Sequence, residues 1–386
     1  MPRVQRGTPS ADTLGGRLRE QRMALGVTVQ QLAQQLGVNR NTIMNYESGK
    51  TEPSVNDLVR LAATLGCDLT VLLPGMPRAQ VPRFAFRAHK VLSTDPHIKA
   101  TARRYLRAYM EVEEILGTTL AFHLPQYQLT EDAPQLERRI EGLANRVRKS
   151  CGIRDGGPDN IVAVLENLGV RCLFFHYDGR GLDGLSTFQD EMCLMMLRVR
   201  DTGIERTISS AAHELGHLVM HQHMFTEEPT EEGAERNYEK EAQLFAGYFL
   251  VPSDALLEVW EEEGLYRLPP VHALLLLKHV FRVSFWLLYE RVQQAGLVPP
   301  NEYPRLTTEV KHLLGIHGRA KREELEPELL PGDMLQRSTR FERLVRSAFL
   351  QEQIGIAKVA EMLQISVEEA KEKTAKWVAP EHALVG

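Results

Sequence analysis

The chain of 386 residues carries 46 Lys/Arg against 51 Asp/Glu, a formal net charge of −5, with 43% hydrophobic and 25% charged residues. That usage excludes wholesale disorder, and the length predicts two or three domains of roughly 100–200 residues, each able to bury a core. The charge is uneven: residues 1–110 hold 16 Lys/Arg against 7 Asp/Glu and the remainder 30 against 44, so a polyanionic partner is expected at the N-terminal portion alone. No apolar run reaches the roughly 18 residues of a membrane span. The runs at Leu274–Val280 and Phe285–Leu288 are short and interrupted by Lys278, His279 and Arg282. The first six residues (Met-Pro-Arg-Val-Gln-Arg) lack the apolar core of a signal peptide. A soluble, cytoplasmic protein with no membrane partner is the expectation. Cys67, Cys151, Cys172 and Cys193 form no CxxC pair, which predicts reduced, buried thiols rather than a disulfide framework or an all-cysteine zinc site.

In chain order, residues 1–12 are polar and are expected to be a flexible N-terminus. Residues 13–75 read as a series of short helices. A proline-bearing stretch, Pro74-Gly75-Met76-Pro77 to Pro82, opens a connector over 76–150, whose later part (97–150) has long helical periodicity. A unit over 151–300 changes character. Asn160–Leu168 is helical, Val170–His176 and Met192–Val199 run like strands, and 205–223 is helical again. An acidic loop, Glu227–Glu235, leads to a helix over Tyr238–Leu250 that stops at Pro252, and 268–299 gives two more helices. The C-terminal region, 301–386, has a Pro/Glu-rich stretch near Glu324–Pro331 and a final helical segment, Thr339–Trp377.

The N-terminal helices carry a first set of functional residues. Thr28 reads as an N-cap and Gln31 completes a capping box; the helix they start ends at Gly37, whose left-handed backbone makes a tight turn. Asn39 caps the next helix, about Arg40–Glu47. Leu32, Ala33, Leu36, Val38 and Ile43 are expected to fill the angle between the two. In such a helix-turn-helix the second helix enters the major groove, so Asn39, Arg40, Asn41, Thr42 and Asn45 are candidates for base edges. Gln30 could reach a phosphate or a base, and Arg17, Arg19, Arg22 and Lys50 are candidates for phosphate contacts. The strings Leu32-Ala33-Gln34-Gln35-Leu36-Gly37-Val38 and Ile43-Met44-Asn45-Tyr46-Glu47-Ser48-Gly49-Lys50-Thr51-Glu52-Pro53-Ser54 resemble the Cro/CI-type (XRE) helix-turn-helix family. The resemblance implies a five-helix domain, a double-stranded DNA operator as partner, and a homodimer on paired half-sites.

A second set lies at His213-Glu214-Leu215-Gly216-His217. Residues four apart share a helix face, so both imidazoles can bind one Zn²⁺, and Glu214 is placed to take a proton from a water as general base. A third ligand is expected from the next helix, where Glu239 and Glu241 both stand. At about 100° per residue they are rotated by about 200° from one another, so both cannot face one ion. His221, four residues past His217, could extend the metal face but reads rather as a partner of a ligand or as a group that meets substrate, and His223 reads as a surface residue. Tyr238, Tyr248 and His176 are candidates to stabilise an oxyanion.

Residues 150–300 resemble the ImmA/IrrE family of metallopeptidases. The resemblance rests on Gly184-Leu185-Ser186, on Ala212-His213-Glu214-Leu215-Gly216-His217-Leu218-Val219-Met220-His221, and on Glu239-x-x-Ala242-Gln243-x-Phe245-Ala246 with Leu250 and Pro252. It implies Glu239 as the third ligand, Zn²⁺ as cofactor with Mn²⁺ as the alternative, and a zincin-like α+β domain with a small sheet. Gln243 stands where the family commonly has Asn, and the lead-in Arg206–Ala212 is looser than the family's. Near the end, Ala357–Val367 again reads as helix–turn–helix with Ser366 as a cap, but acidic Glu368, Glu369 and Glu372 favour packing or dimerisation over DNA contact.

The whole reads as a mainly α chain: a Cro/CI-type domain, a metallopeptidase domain and a helical tail. The expected function is a DNA-binding transcriptional regulator whose zinc endopeptidase domain cleaves itself or a partner, such as a helix-turn-helix repressor, in a stress, DNA-damage, mobile-element or antiphage response. The alternative is a transcription factor whose metal domain is a non-proteolytic sensor or scaffold. A secreted digestive protease is disfavoured by the attached DNA reader.

Overall fold

The structure is a computed structural model. It describes residues 13–25, 27–67, 69–74, 96–124, 127, 135–154, 156–175, 183–189, 192–198, 203–222, 237–299, 301–331 and 339–379. The expected linker after Pro74, the acidic loop, residues 1–12, His176 and His223 lie outside them. Two compact units are present. One is formed by residues up to Thr119 together with Glu342 onward, the other by 120–225 and 230–341. The connector is therefore divided between the units, and so is the C-terminal region.

The first unit begins with five helices, α1 (Leu14–Ala24), α2 (Val29–Leu36), α3 (Arg40–Glu47), α4 (Val55–Leu65) and α5 (Leu69–Leu72). Each of the first four starts at a side-chain cap: Thr13, Thr28, Asn39 and Ser54 accept from backbone N–H groups left unpaired in the first turn. Thr28 and Gln31 form the expected capping box, and Gly37 closes α2 at φ +65°. Leu18, Leu32, Ala33, Leu36, Ile43, Leu58, Leu61 and Leu65 make the core, with Val38 packed at its edge. The long helix α6 (Pro96–Ile115) adds Ala100 to that core. Buried Arg103 of α6 donates to Gln21 Oε1 at 2.5 Å, and burial lowers its pKa to about 10.

The chain's end completes this unit. Helix α15 (Arg340–Leu350) leads to α16 (Ile356–Leu363) and α17 (Val367–Val378). Ser366 caps α17 in a second capping box with Glu369. Helix α16 packs on α6, where Lys358 Nζ meets Glu111 Oε1 at 2.8 Å. Within the tail Lys373 pairs with Glu342 at 2.8 Å, and the rings of Phe349 and Trp377 lie 6.0 Å apart.

The second unit opens with α7 (Leu136–Ser150), so the periodicity read over 97–150 resolves into two helices, α6 and α7, in different units. Helix α8 (Ile161–Asn167) feeds strand β1 (Val170–Phe175), followed by β2 (Gly184–Gln189) and β3 (Met192–Arg198). The sheet order is β1-β3-β2, with β1 and β3 parallel and β2 antiparallel to β3. Central β3 is buried over Cys193–Leu197, on both faces. Edge strand β2 lies beside α9 (Glu205–Met220), and α10 (Tyr238–Leu250) packs between α9 and α7. Helices α11 (Ser253–Glu262), α12 (Pro270–Phe281), α13 (Phe285–Gln294) and α14 (Tyr303–Leu313) complete the unit. Neither β2 as a strand nor α11 as a helix is expected from the sequence, whereas α14 falls in the C-terminal region 301–386 expected to be helical.

The Pro/Glu-rich stretch is packed rather than solvated. Lys278 of α12 is fully buried, pairs with Glu326 and with Glu205 (2.9 Å), and donates to the carbonyl of Pro327 at 3.0 Å. Glu205 also accepts from the backbone N–H of Leu330 at 2.6 Å, and Trp286 Nε1 donates to the Leu325 carbonyl at 2.6 Å. Burial pushes the Glu326 carboxyl up despite the Lys278 ammonium beside it. Because Glu205 is in the first turn of α9, this cluster fixes the start of the helix that carries the candidate metal ligands. Among the described residues no single helix is long and apolar enough to cross a membrane. Helices α12 and α13 are apolar together but bend by 107° at their junction, and Leu274, Leu277, Phe281, Phe285 and Leu288 are core. None of the four cysteines is in a disulfide, and burial pushes the thiols of Cys151, Cys172 and Cys193 up.

Candidate functional site

Helix α9 presents His213 and His217 one turn apart on the face toward α10. Gly216 makes this possible: a Cβ there would lie 3.2 Å from the Cα of Ala242 and 3.1 Å from the Phe245 ring, so the two helices touch at backbone distance. Glu239, in the first turn of α10, is thereby brought to the histidines. Its Oε2 lies 3.1 Å from His213 Nε2 and its Oε1 3.7 Å from His217 Nε2, and the two Nε2 atoms are 3.0 Å apart. Ligands about 2.0–2.1 Å from a tetrahedral zinc sit roughly 3.3–3.4 Å from one another, and two His with one Glu is a known catalytic zinc set. The three side chains therefore fit a single metal ion. Burial is graded across the cluster: among the described residues the His217 side chain is 1% exposed and that of Glu239 51%.

Glu214 is buried next to these residues and turned toward the sheet. Its Oε2 accepts from Ser186 Oγ of β2 at 2.5 Å. Nothing in the sequence beyond the string Gly184-Leu185-Ser186 points to Ser186, yet its hydroxyl fixes one oxygen of the expected general base. Glu241 faces away from the cluster, as the 200° rotation requires. It is 3% exposed, and its Oε2 lies 3.0 Å from His221 Nε2. His221 is itself fully buried and sets its Nδ1 2.8 Å from His217 Nδ1. The ring of Tyr238 packs edge-on against it, 4.9 Å away. Of the oxyanion candidates, Tyr248 is committed elsewhere: its hydroxyl donates to Glu137 Oε1 at 2.8 Å and Arg291 covers its ring at 4.0 Å. Burial, then the bond to Glu137, push its pKa up to about 12.

In the first unit, α3 exposes Arg40 and Asn41, while Thr42 and Asn45 are half-buried. Asn39 is exposed, but its Oδ1 accepts from the Asn41 N–H at 3.0 Å, so it serves first as a cap. Gln30 on α2, Arg19 and Lys50 are exposed. Two of the arginines expected on phosphate are placed otherwise. Arg17 is 4% exposed and its guanidinium donates to the Val71 carbonyl at the end of α5 (3.4 Å), where a cation complements the helix terminus. Arg22 makes a bidentate pair with Glu47 (2.5 and 3.0 Å) and donates to the Val27 carbonyl. Both therefore hold helices together instead of facing a duplex.

A capped helix pair with an exposed second helix, and a His-His-Glu cluster shared by two helices beside a small sheet, define a DNA-reading module and a metallopeptidase-like module. Residues 18–72 match the helix-turn-helix family and residues 165–293 match the IrrE N-terminal-like domain. The chain is thus a fusion of an XRE-type helix-turn-helix with an IrrE/ImmA-like peptidase domain, a DNA-binding regulator joined to a peptidase-like body. No curated protein matches the chain.

Proposed function

We propose that the protein is a transcriptional regulator whose second unit is a zinc-dependent endopeptidase, with Mn²⁺ as the alternative metal. The reading is carried by one observation: His213, His217 and Glu239 converge while Glu214, adjacent in sequence to a ligand, is buried and held by Ser186. When bound, the metal supplies Lewis acidity toward a peptide carbonyl and lowers the pKa of a water. The Glu214 carboxylate takes the proton of the attacking water and passes it to the leaving amine. Ser186 fixes that carboxylate's orientation, and the exposed side of Glu239 admits an extended peptide. The substrate is this chain itself or a partner regulator of the helix-turn-helix type, cut in a stress, DNA-damage, mobile-element or antiphage response. Arg40 and Asn41 read bases, with Thr42 and Asn45 beside them, while Gln30 and Lys50 contact the DNA backbone; a homodimer binds paired half-sites.

The test compares purified wild type, His217→Ala and Glu214→Gln. Elemental analysis should give about one metal ion per wild-type and Glu214→Gln chain, and a loss in His217→Ala. Cleavage of the chain or of a co-expressed helix-turn-helix repressor should stop in both variants. Cleavage that persists in Glu214→Gln removes the general-base assignment. Metal retained by a wild type that cuts neither substrate supports the sensor or scaffold reading instead.

A further inference from the structure

His217 uses two ring nitrogens in two directions. Nε2 faces His213 and Glu239; Nδ1 faces His221 at 2.8 Å. His221 is the C-cap residue that follows Met220 at the end of α9, with φ −123° and ψ 28°, outside the helical range. Its ring consequently lies behind His217 and not alongside the cluster. Its other nitrogen, Nε2, is 3.0 Å from Glu241 Oε2, and both residues are buried.

The chemistry orders the protons along this chain. A neutral imidazole has one N–H and one lone pair, and an ionised carboxylate only accepts. Glu241 therefore takes a hydrogen bond from His221 Nε2–H. His221 Nδ1 is then the lone pair and accepts from His217 Nδ1–H. That leaves the lone pair of His217 on Nε2, the atom that faces His213 and Glu239. We propose that Glu241 and His221 are positioning residues that set the tautomer and ring orientation of His217 for metal binding. The proposal rests on reading His213, His217 and Glu239 as the metal ligands. It also gives a role to the carboxylate that helix periodicity turns away from them.

The test uses full-length protein and Zn²⁺ as probe, with affinity measured by competition against a chromophoric chelator. Glu241→Leu and His221→Phe should each weaken Zn²⁺ binding by about 10–100-fold, the usual effect of removing a partner of a ligating histidine. Glu241→Gln keeps an acceptor oxygen and should recover most of the affinity. The double variant should bind no more weakly than either single one, because the two residues act in series. Wild-type affinity in His221→Phe overturns the proposal, and so do losses that multiply in the double variant. If Glu241→Leu does not fold, His221→Phe and Glu241→Gln decide. A wild type that binds no Zn²⁺ removes the ligand reading itself, and the proposal with it.

Discussion

Two glycines in the second unit separate packing from propensity at the scale of one residue. Gly142 lies inside α7 with open space where a methyl group would go. Gly142→Ala should stabilise the unit by about 0.5–1 kcal/mol, since alanine loses less backbone entropy in a helix. Gly216 also lies inside a helix, but its Cβ would press on the backbone of Ala242. Gly216→Ala should cost about 1–3 kcal/mol through overpacking and weaken metal binding, because α10 and Glu239 must shift away from α9. Denaturant unfolding of the two variants, with metal content measured beside it, checks both signs. The same distinction explains what single residues disclosed. The histidines of α9 were legible because their chemistry and spacing coincide. Arg17 was not: an arginine next to Leu18 in an arginine-rich helix reads as surface, and only the terminus of α5, 54 residues on, turns it inward. Ser186 was named without its role, since nothing in sequence joins it to Glu214.

At the scale of the element, legibility followed local chemistry. Helices α2 and α3 were readable because caps, a left-handed glycine and a narrow apolar stripe all agree. Helix α10 was bounded correctly by its apolar run and Pro252. Strand β2 was missed because Ser186 and Thr187 are buried polar residues within six positions, so hydrophobic alternation is absent. Its strand character comes from pairing with β3. The stretch 324–331 reads as a loop by composition, yet its carbonyls and Glu326 meet Lys278 and Trp286. For α3 the exposed positions set the expectation. Asn41→Ala should cost about 1–3 kcal/mol toward a duplex selected from a random-sequence pool and relax preference at one base pair. Lys50→Ala should weaken all duplexes alike and flatten the salt dependence. Binding isotherms at several salt concentrations separate the two, and metal content should stay at the wild-type level in both. An Asn41→Ala protein with unaltered operator affinity would take α3 out of the groove.

At the scale of the whole molecule, the first unit is assembled from both ends of the chain: α16 packs on α6, and α6 packs on α4. Deleting residues 342–386 should therefore lower the thermal transition of the DNA-reading unit and weaken its DNA binding. Metal content of the second unit should be unchanged. Calorimetry of the truncated and full-length proteins tests this; two transitions that fall together would contradict the division into units.

That division also bears on what a cut in the backbone can accomplish. The peptidase-like segment is inserted between two portions of one folded body, so it is joined to that body by two covalent connections. A single break anywhere within 120–341 leaves α6 and α16 in the same unit, held by packing alone. Such a nick changes the chain's connectivity without releasing either portion. A break between α5 and α6 severs the only covalent connection between α1–α5 and the rest of the chain. A cut in this chain would therefore have one of two outcomes set by its location: a nicked first unit whose parts stay packed together, or helices α1–α5 parted from α6 and the tail.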